Sequence, residues 1–568
     1  MIGLAHSAPS RDSAAVWTAP ATVVVGAGGL TRAERDAVIA DRWFRARPHV
    51  QAQVVSRSGV RRVGGPEDGE LLGRIVRSLR DFASAGAAEA TNVWEVDQRS
   101  GLIRHTELSE IATPLGETAA EVPRVDAVSL RERDLAGWEW ESAGLIDPIA
   151  ALLAPEVTDA VACTTLAPAS GATATRTRDS ARRLTWSGQG ESFSGSRRSA
   201  VVEGIERLVG GQQFTRRHPL TSARALEGRV LTPRAFDPYL GSAYGRIVER
   251  FDAARPHEWV SGSSLRDDEH VWIPRELVYY AEIPENERWA LGTSSGCATG
   301  SSLDEATVFG LLELIERDTF VNAWYGGIDA VPALAEDFPG AAGMLARVRL
   351  LGWRMELGLL RNAWNVPVFV AAVDTGEVRA FGAAAHLDVA TAGLRAMTEA
   401  VAYAPGRIAE VADNADRVDE LRRDPRRARH IEDHPLLPVR GAHPAYATMC
   451  GDPREALSLD EISAFADAGT RLLHDGDDGA GVDVRGIRSA LVRLLAEEGI
   501  ETFRVVQSAP FEKQLGLETV MTLAPALSQL DFGWEAQRVR TSTRPLDQAQ
   551  LLTGRRPSAL RDLPHPFS

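Results

Sequence analysis

The sequence predicts a mixed α/β (α+β) protein, with a smaller N-terminal α/β unit over residues 1–155 and a larger unit over 156–568 made of two related halves. Three observations lead there. A strand pattern at Ala21 to Val25 runs through Gly26-Ala-Gly-Gly29 into helical patterns at Arg32 to Phe44 and Leu71 to Phe82. The stretch Ala167 to Ser199 is rich in Ser, Thr, Gly and Arg, which marks a linker or a flexible, phosphate-facing loop and puts a boundary near Ala154. Finally, one charged pattern occurs twice within apolar segments, as Glu203-Gly-Ile-Glu206-Arg207 and Glu313-Leu-Ile-Glu316-Arg317.

Each element has a local reason. The strand-glycine-helix start is too short for a dinucleotide-binding turn and lacks the third motif glycine, so a loop-rich turn is the better account. The first acidic copy places Glu203 and Glu206 three apart on one helical face. The second begins with Ser302-Leu-Asp-Glu305, whose capping-box spacing predicts a helix from Leu303 through Phe320. At about 100° per residue Glu305, Glu313 and Glu316 fall at roughly 0°, 80° and 20°, so all three carboxylates face one way on a helix apolar nearly all round. A third helical segment, Val389 to Tyr403, carries only Arg395 and Glu399 as charges, and their spacing reads as an internal salt bridge. Buried carboxylates cost several kcal/mol unless arginine, protons or a divalent cation neutralise them. Four glutamates and two arginines converging would suit magnesium and a phosphate chain.

Composition excludes several classes. With 78 acidic against 63 basic residues, a net charge of −15 argues against general affinity for nucleic acid or anionic membrane. Met1 to Pro20 lacks a charged-then-apolar signal pattern, and no run approaches the ~18 apolar residues of a membrane helix, so a cytoplasmic protein is expected. Cys163, Cys297 and Cys450 are far apart and offer neither a disulfide framework nor a zinc site. Lys513 is the sole lysine and follows Pro510-Phe511-Glu512, which rules out a glycine-lysine phosphate loop and argues against Schiff-base catalysis. Arginine is left to hold any phosphate, which its planar fork does well.

These residues resemble the ATP-binding signatures of the YcaO family: Ser199-x-x-x-Glu203-x-x-Glu206-Arg207, then Thr293 to Gly300 leading into Glu305 and Glu313-Leu-Ile-Glu316-Arg317-Asp318, then Ala396-Met-Thr-Glu399-Ala. The resemblance runs from about Pro155 to the C-terminus and implies a YcaO-type ATP-binding domain. It implies that ATP phosphorylates a peptide amide oxygen after a nucleophile has added to the carbonyl. In azoline-forming members that nucleophile is the next Cys, Ser or Thr, and phosphate loss leaves a thiazoline or oxazoline. By resemblance, Glu203, Glu206, Glu313, Glu316 and Glu399 hold Mg2+; Ser199, Ser301, Glu305 and Gln189 lie at the nucleotide; Arg207 and Arg317 neutralise phosphate. Two departures stand out. Gln189 replaces a basic residue between Gly188 and Gly190, a charge that Arg182, Arg183, Arg197 or Arg198 is expected to supply, and Tyr403 occupies a position where the family often has glutamine.

The ending Leu563-Pro564-His565-Pro566-Phe567-Ser568 resembles the proline-rich tail of azoline-forming members, which implies catalytic roles for Pro564, Pro566 and Ser568. Proline keeps such a tail extended, so its insertion costs little entropy. His565 titrates near neutrality but nothing in the spacing makes it a base; Cys297 reads as packing, and Trp324 and Tyr325 as core or cavity wall. The resemblance further implies a ribosomal precursor peptide as substrate, a homodimer, and a separate leader-binding partner related to ubiquitin-activating enzymes that docks on residues 1–155. It leaves open whether a flavin dehydrogenase later oxidises the rings. Alternatives are a thioamide- or amidine-forming enzyme, against which the tail argues, and a non-catalytic scaffold, suggested by Gln189 and Tyr403.

Overall fold

Ahead of residue 129, the computed structural model describes the backbone of six short strands only; from 129 onward it describes the chain except 139, 141–144, 147–151, 154–156, 177–180, 215–218, 281–287, 468–471, 473–481 and 568. Five of the N-terminal strands, Gly3–Leu4, Ala15–Ala19, Thr22–Ala27, Thr91–Asp97 and Ile103–Leu108, form one sheet in chain order with antiparallel pairing throughout. Gly26 lies inside the third of them, paired on both sides, so this is not the parallel strand-turn-helix unit of a dinucleotide site. Gly28, Gly29 and the predicted helices at 32–44 and 71–82 lie outside the described residues.

The rest is built from strand pairs, each followed by a long helix. Strands β1 (Ala169–Arg176) and β2 (Ala181–Gly188) pair antiparallel and lead into helix α1 (Phe193–Gly211). Strand β3 (Cys297–Gly300) leads into α2 (Leu303–Gly326). Strands β4 (Val368–Asp374) and β5 (Arg379–Ala385) pair antiparallel and lead into α3 (Val389–Asp413). Strand β6 (Glu518–Leu523) pairs antiparallel with β3, which is the edge strand of the largest sheet.

Side-chain size explains how helices seat on strands. A Cβ at Gly188 of β2 would lie 1.8 Å from the Ser196 carbonyl of α1, and one at Gly382 of β5 would lie 2.4 Å from the Ala396 carbonyl of α3. Only glycine allows these backbones to approach so closely. Along β4 the side chains alternate between two cores, as a strand's period of two requires: Val368, Val370 and Ala372 join the core around α2, while Phe369, Ala371 and Val373 join that under α3.

Helix α2 begins where predicted: Ser302 Oγ accepts the Glu305 amide at 3.1 Å. It runs six residues beyond Phe320, because Val321 to Tyr325 continue the buried surface until Gly327, in the left-handed conformation, closes it. The helix is buried on nearly every side, as its composition implies. Residues just past 129 belong to the same body: Leu130 is in the core around α2, and Trp138, Leu145 and Leu153 pack with α1.

Candidate functional site

A cavity of about 720 Å3 opens between α1, α2, α3 and the ends of β2 and β5. Glu203 and Arg207 of α1, Glu316 and Arg317 of α2, and Arg395 and Glu399 of α3 line one side, and Leu166, Met344 and Leu394 give it an apolar end. Glu206 and Glu313 stand behind this lining, each within electrostatic reach of Arg207. The carboxylates are aimed by backbone amides: Ser187 N–H donates to Glu203 (3.2 Å), Gly296 N–H to Glu313 (2.9 Å), Ala385 N–H to Glu316 (2.9 Å) and Ala383 N–H to Glu399 (2.8 Å). The strand-to-helix spacing is the same in the first and third units, sixteen residues for both Ser187 to Glu203 and Ala383 to Glu399.

Arg207 Nε donates to Glu203 at 3.3 Å and Arg317 Nη2 to Glu313 at 3.4 Å, each a pair one turn apart on its helix. These cations do not balance the cluster. Burial, partly offset by Arg207 and reinforced by Glu313, pushes Glu206 up to about 8; burial, partly offset by Arg317 and reinforced by Glu399, does the same to Glu316. Glu203 and Glu399 are also raised, chiefly by burial. Such a cavity holds protons until a stronger cation replaces them.

Residues 187–528 match the family described as YcaO cyclodehydratase, ATP- and Mg2+-binding. The chain belongs to the YcaO family. Its cofactors are accordingly ATP and Mg2+. An uncharacterized protein of Methanothermobacter thermautotrophicus is 25% identical over 297 residues, covering 50% of this chain and 70% of that relative. Two solved structures share the fold at 19% identity over 96% of this chain: a heterocyclase in complex with substrate and cofactor (TM-score 0.70, 77% of that chain) and the heterocyclase TruD (TM-score 0.60, 74% of that chain).

The donor set of this YcaO chain fits a magnesium-bound phosphate chain. Arg317 Nε is buried 3.7 Å from Glu316 Oε1, too far for a hydrogen bond, and Arg395 opens into the cavity with neither ion pair nor hydrogen bond among the described residues. Both are positioned for anionic oxygens. Among the described residues no three His, Cys, Asp or Glu side chains close into a ready cage.

Several sequence expectations are corrected. Glu305 does not join Glu313 and Glu316, although it shares their face of the helix: eight residues at about 1.5 Å rise set it ~12 Å back along the axis. There it is 1% exposed and accepts from Arg131 Nη1 (3.0 Å), the Glu132 amide (2.9 Å) and Ser301 Oγ, so neither Ser301 nor Glu305 lines the cavity. Arg395 and Glu399 form no salt bridge, since Glu399 faces Ala383 N–H and Arg317 instead. Of the arginines expected to replace the charge missing at Gln189, Arg197 pairs with Asp159 and Arg198 with Ser194; they do not line the cavity, nor does Arg183. Nothing is described of the Arg182 side chain.

Ser199, Gln189 and Tyr403 do line it. Cys297 is buried against α1, its thiol pushed well above the ordinary range by burial, which fits packing. Trp324 is core and donates from Nε1 to the Leu563 carbonyl at 2.9 Å. The tail is wholly buried from Leu563 to Phe567, held by Tyr446 Oη on the Pro564 carbonyl (2.9 Å) and His434 Nδ1 on that of His565 (2.7 Å); Ser568 lies outside the described residues. His565 is 1% exposed and bonds the Asp531 carbonyl, away from the cavity. Sequence reasoning missed Arg395 as a cavity cation, because its spacing to Glu399 looks like a closed pair. It also missed Leu166 and Met344, which come from distant segments with no local signal.

Proposed function

We propose that this cavity binds Mg-ATP and that the chain is an ATP-dependent peptide-modifying enzyme, a cyclodehydratase that closes Cys, Ser or Thr side chains onto the preceding amide of a ribosomal precursor peptide. The observation that carries this is the meeting of three glutamates and three arginines from three helices in one cavity with an apolar end, with Glu206 and Glu313 behind that lining. When bound, Mg-ATP supplies the phosphoryl group that turns a peptide amide oxygen into a leaving group. Glu203, Glu316 and Glu399 at the lining, with Glu206 and Glu313 behind them, would hold the magnesium ions. Arg207, Arg317 and Arg395 offer their N–H groups to phosphate oxygens, and Ser199 and Gln189 border the same space. Leu166, Met344 and Leu394 exclude water at the end suited to a base. Glu305 and Ser301 act from behind, fixing the start of α2 and thus the aim of Glu313 and Glu316.

The tail supports the azoline-forming reaction over thioamide or amidine formation. Phe567 packs against Phe320, one turn beyond Glu316 on α2, with ring centroids 4.1 Å apart, so Pro564 and Pro566 belong to a buried tail seated on the helix that carries Glu316, and Ser568 is assigned a role with them on the resemblance alone. The boundary expected near Ala154 moves to about residue 129, since Leu130, Trp138, Leu145 and Leu153 pack with α1 and α2; we assign the segment ahead of it, in place of residues 1–155, to docking of a separate leader-binding protein and the remainder to the catalytic domain, acting as a homodimer in the cytoplasm. Among the described residues no helix is long and apolar enough to cross a membrane.

Calorimetry tests the nucleotide reading: the native chain takes up Mg-ATP, and Glu313→Ala with Glu316→Ala abolishes it. Loss of one water per ring from a precursor peptide, with partner and Mg-ATP present, tests the reaction. Native chain that binds no Mg-ATP refutes the first; ATP-dependent sulfur incorporation in place of water loss refutes the second.

A further inference from the structure

The chain carries a net charge of −15, yet one surface groove, far from the acidic cluster, is positive. It is made of two cavities, of about 430 and 320 Å3, which share Arg561. The first lies at the C-terminal end of α2 and is lined by Arg555; the second is lined by Arg423 and Arg426 beside Asp424 and Asp562. Arg426 pairs with both aspartates, Asp424 at 3.0 Å and Asp562 at 3.5 Å. Arg423, Arg555 and Arg561 are left without an ion pair among the described residues, so the groove has more positive charge than negative. Arg561 is the fixed member: its guanidinium lies 4.6 Å over the Trp324 ring, which stacks on Tyr446, and its backbone amide donates to the Tyr325 carbonyl at 2.8 Å. The ring orients the planar fork and leaves its N–H donors free, which suits a carboxylate held by two parallel bonds.

We propose that this groove binds an acidic stretch of the peptide substrate. The inference rests on the peptide-modifying reading above. A short acidic peptide suits the groove better than nucleic acid, because the overall charge of −15 repels a polyanion that extends beyond it. The placement also fits a substrate. Arg561 stands two residues before Leu563, where the buried tail begins, and Gly326 at the groove is ten residues along α2 from Glu316. That is about 15 Å of helix, which about five extended residues span. A peptide held here by its acidic stretch therefore keeps its neighbouring residues within reach of the acidic cavity.

The test is fluorescence anisotropy of a labelled octaglutamate peptide with the full chain in the absence of nucleotide, beside an octaglutamine control. The native chain binds octaglutamate and not octaglutamine, and affinity falls as salt rises from about 0.1 to about 1 M. Arg423→Glu with Arg555→Glu changes two exposed side chains, keeps the native thermal midpoint and weakens binding roughly tenfold. Arg561→Gln weakens it by a similar factor, and Arg561→Lys, which keeps the charge without the fork, falls between. Equal binding of the two peptides overturns the groove, as does native octaglutamate affinity in the charge-reversed chain or tighter binding of single-stranded DNA than of octaglutamate. Neither nucleotide nor turnover enters this assay, so the peptide-modifying reading stands or falls separately, on the water-loss experiment above.

Discussion

Arg395 is a cation placed where folding gains nothing from it, and replacing it separates binding from stability. Its guanidinium opens into the cavity without an ion pair or hydrogen bond among the described residues. Burial and the neighbouring Arg131 hold its pKa down to about 10, with Glu316 the one opposing influence. Arg395→Met removes this charge and keeps the apolar stem, so no ion pair is lost and the apo thermal midpoint stays equal or rises. Mg-ATP loses a charge-assisted hydrogen bond worth about 1.5–3 kcal/mol, and its Kd rises roughly 10- to 100-fold. Arg395→Lys keeps the charge without the planar fork and falls between the two. Calorimetric titration and thermal melting of the three proteins are the assay. Native affinity in Arg395→Met refutes the assignment, and so does lost affinity accompanied by a lowered apo midpoint, which would mark a structural role.

The remaining predictions test the surroundings. Phe567 is 6% exposed and stacked on Phe320, so Phe567→Ala costs about 3 kcal/mol in denaturant melts, and peptide turnover falls while Mg-ATP binding persists. Arg131→Ala leaves the buried Glu305 carboxylate with only Ser301 and the Glu132 amide, and lowers stability by about 2 kcal/mol; Glu305→Gln in the same background restores part of it. Buried Glu512, pushed up to about 7 chiefly by desolvation, stays protonated in the fold after it has ionised in the unfolded chain. Its contribution to stability is therefore complete below about pH 4.5 and declines as pH rises toward 7, by about 3 kcal/mol at most, and Glu512→Gln flattens that part of the pH–stability curve.

Much of the acidic cluster was legible because its information is local. Ser302 and Glu305 wrote the start of α2 in capping chemistry, and glutamates in apolar helices signalled a cost that only function repays. The repeated Glu-x-x-Glu-Arg pattern marked α1 and α2 as acidic helices, whereas the strand-to-helix unit of α1 is matched in spacing by that of α3. The tail's prolines foretold an extended segment, and the structure buries it.

Periodicity, however, gives angle and not position along an axis. It put Glu305 with Glu313 and Glu316, while the rise of the helix carried it out to Arg131. Spacing made Arg395 and Glu399 a pair, but β5 presents the Ala383 amide to Glu399 and leaves Arg395 to the cavity. By itself the sequence determined which helices bear charge, where they start and which family they belong to, because capping, period and motif act within a few residues. Only the tertiary structure decided which carboxylates share a cavity, which arginine stays unpaired among the described residues and that Gln189 and Tyr403 line the same cavity, because those outcomes depend on how closely Gly188 and Gly382 let α1 and α3 settle on their strands.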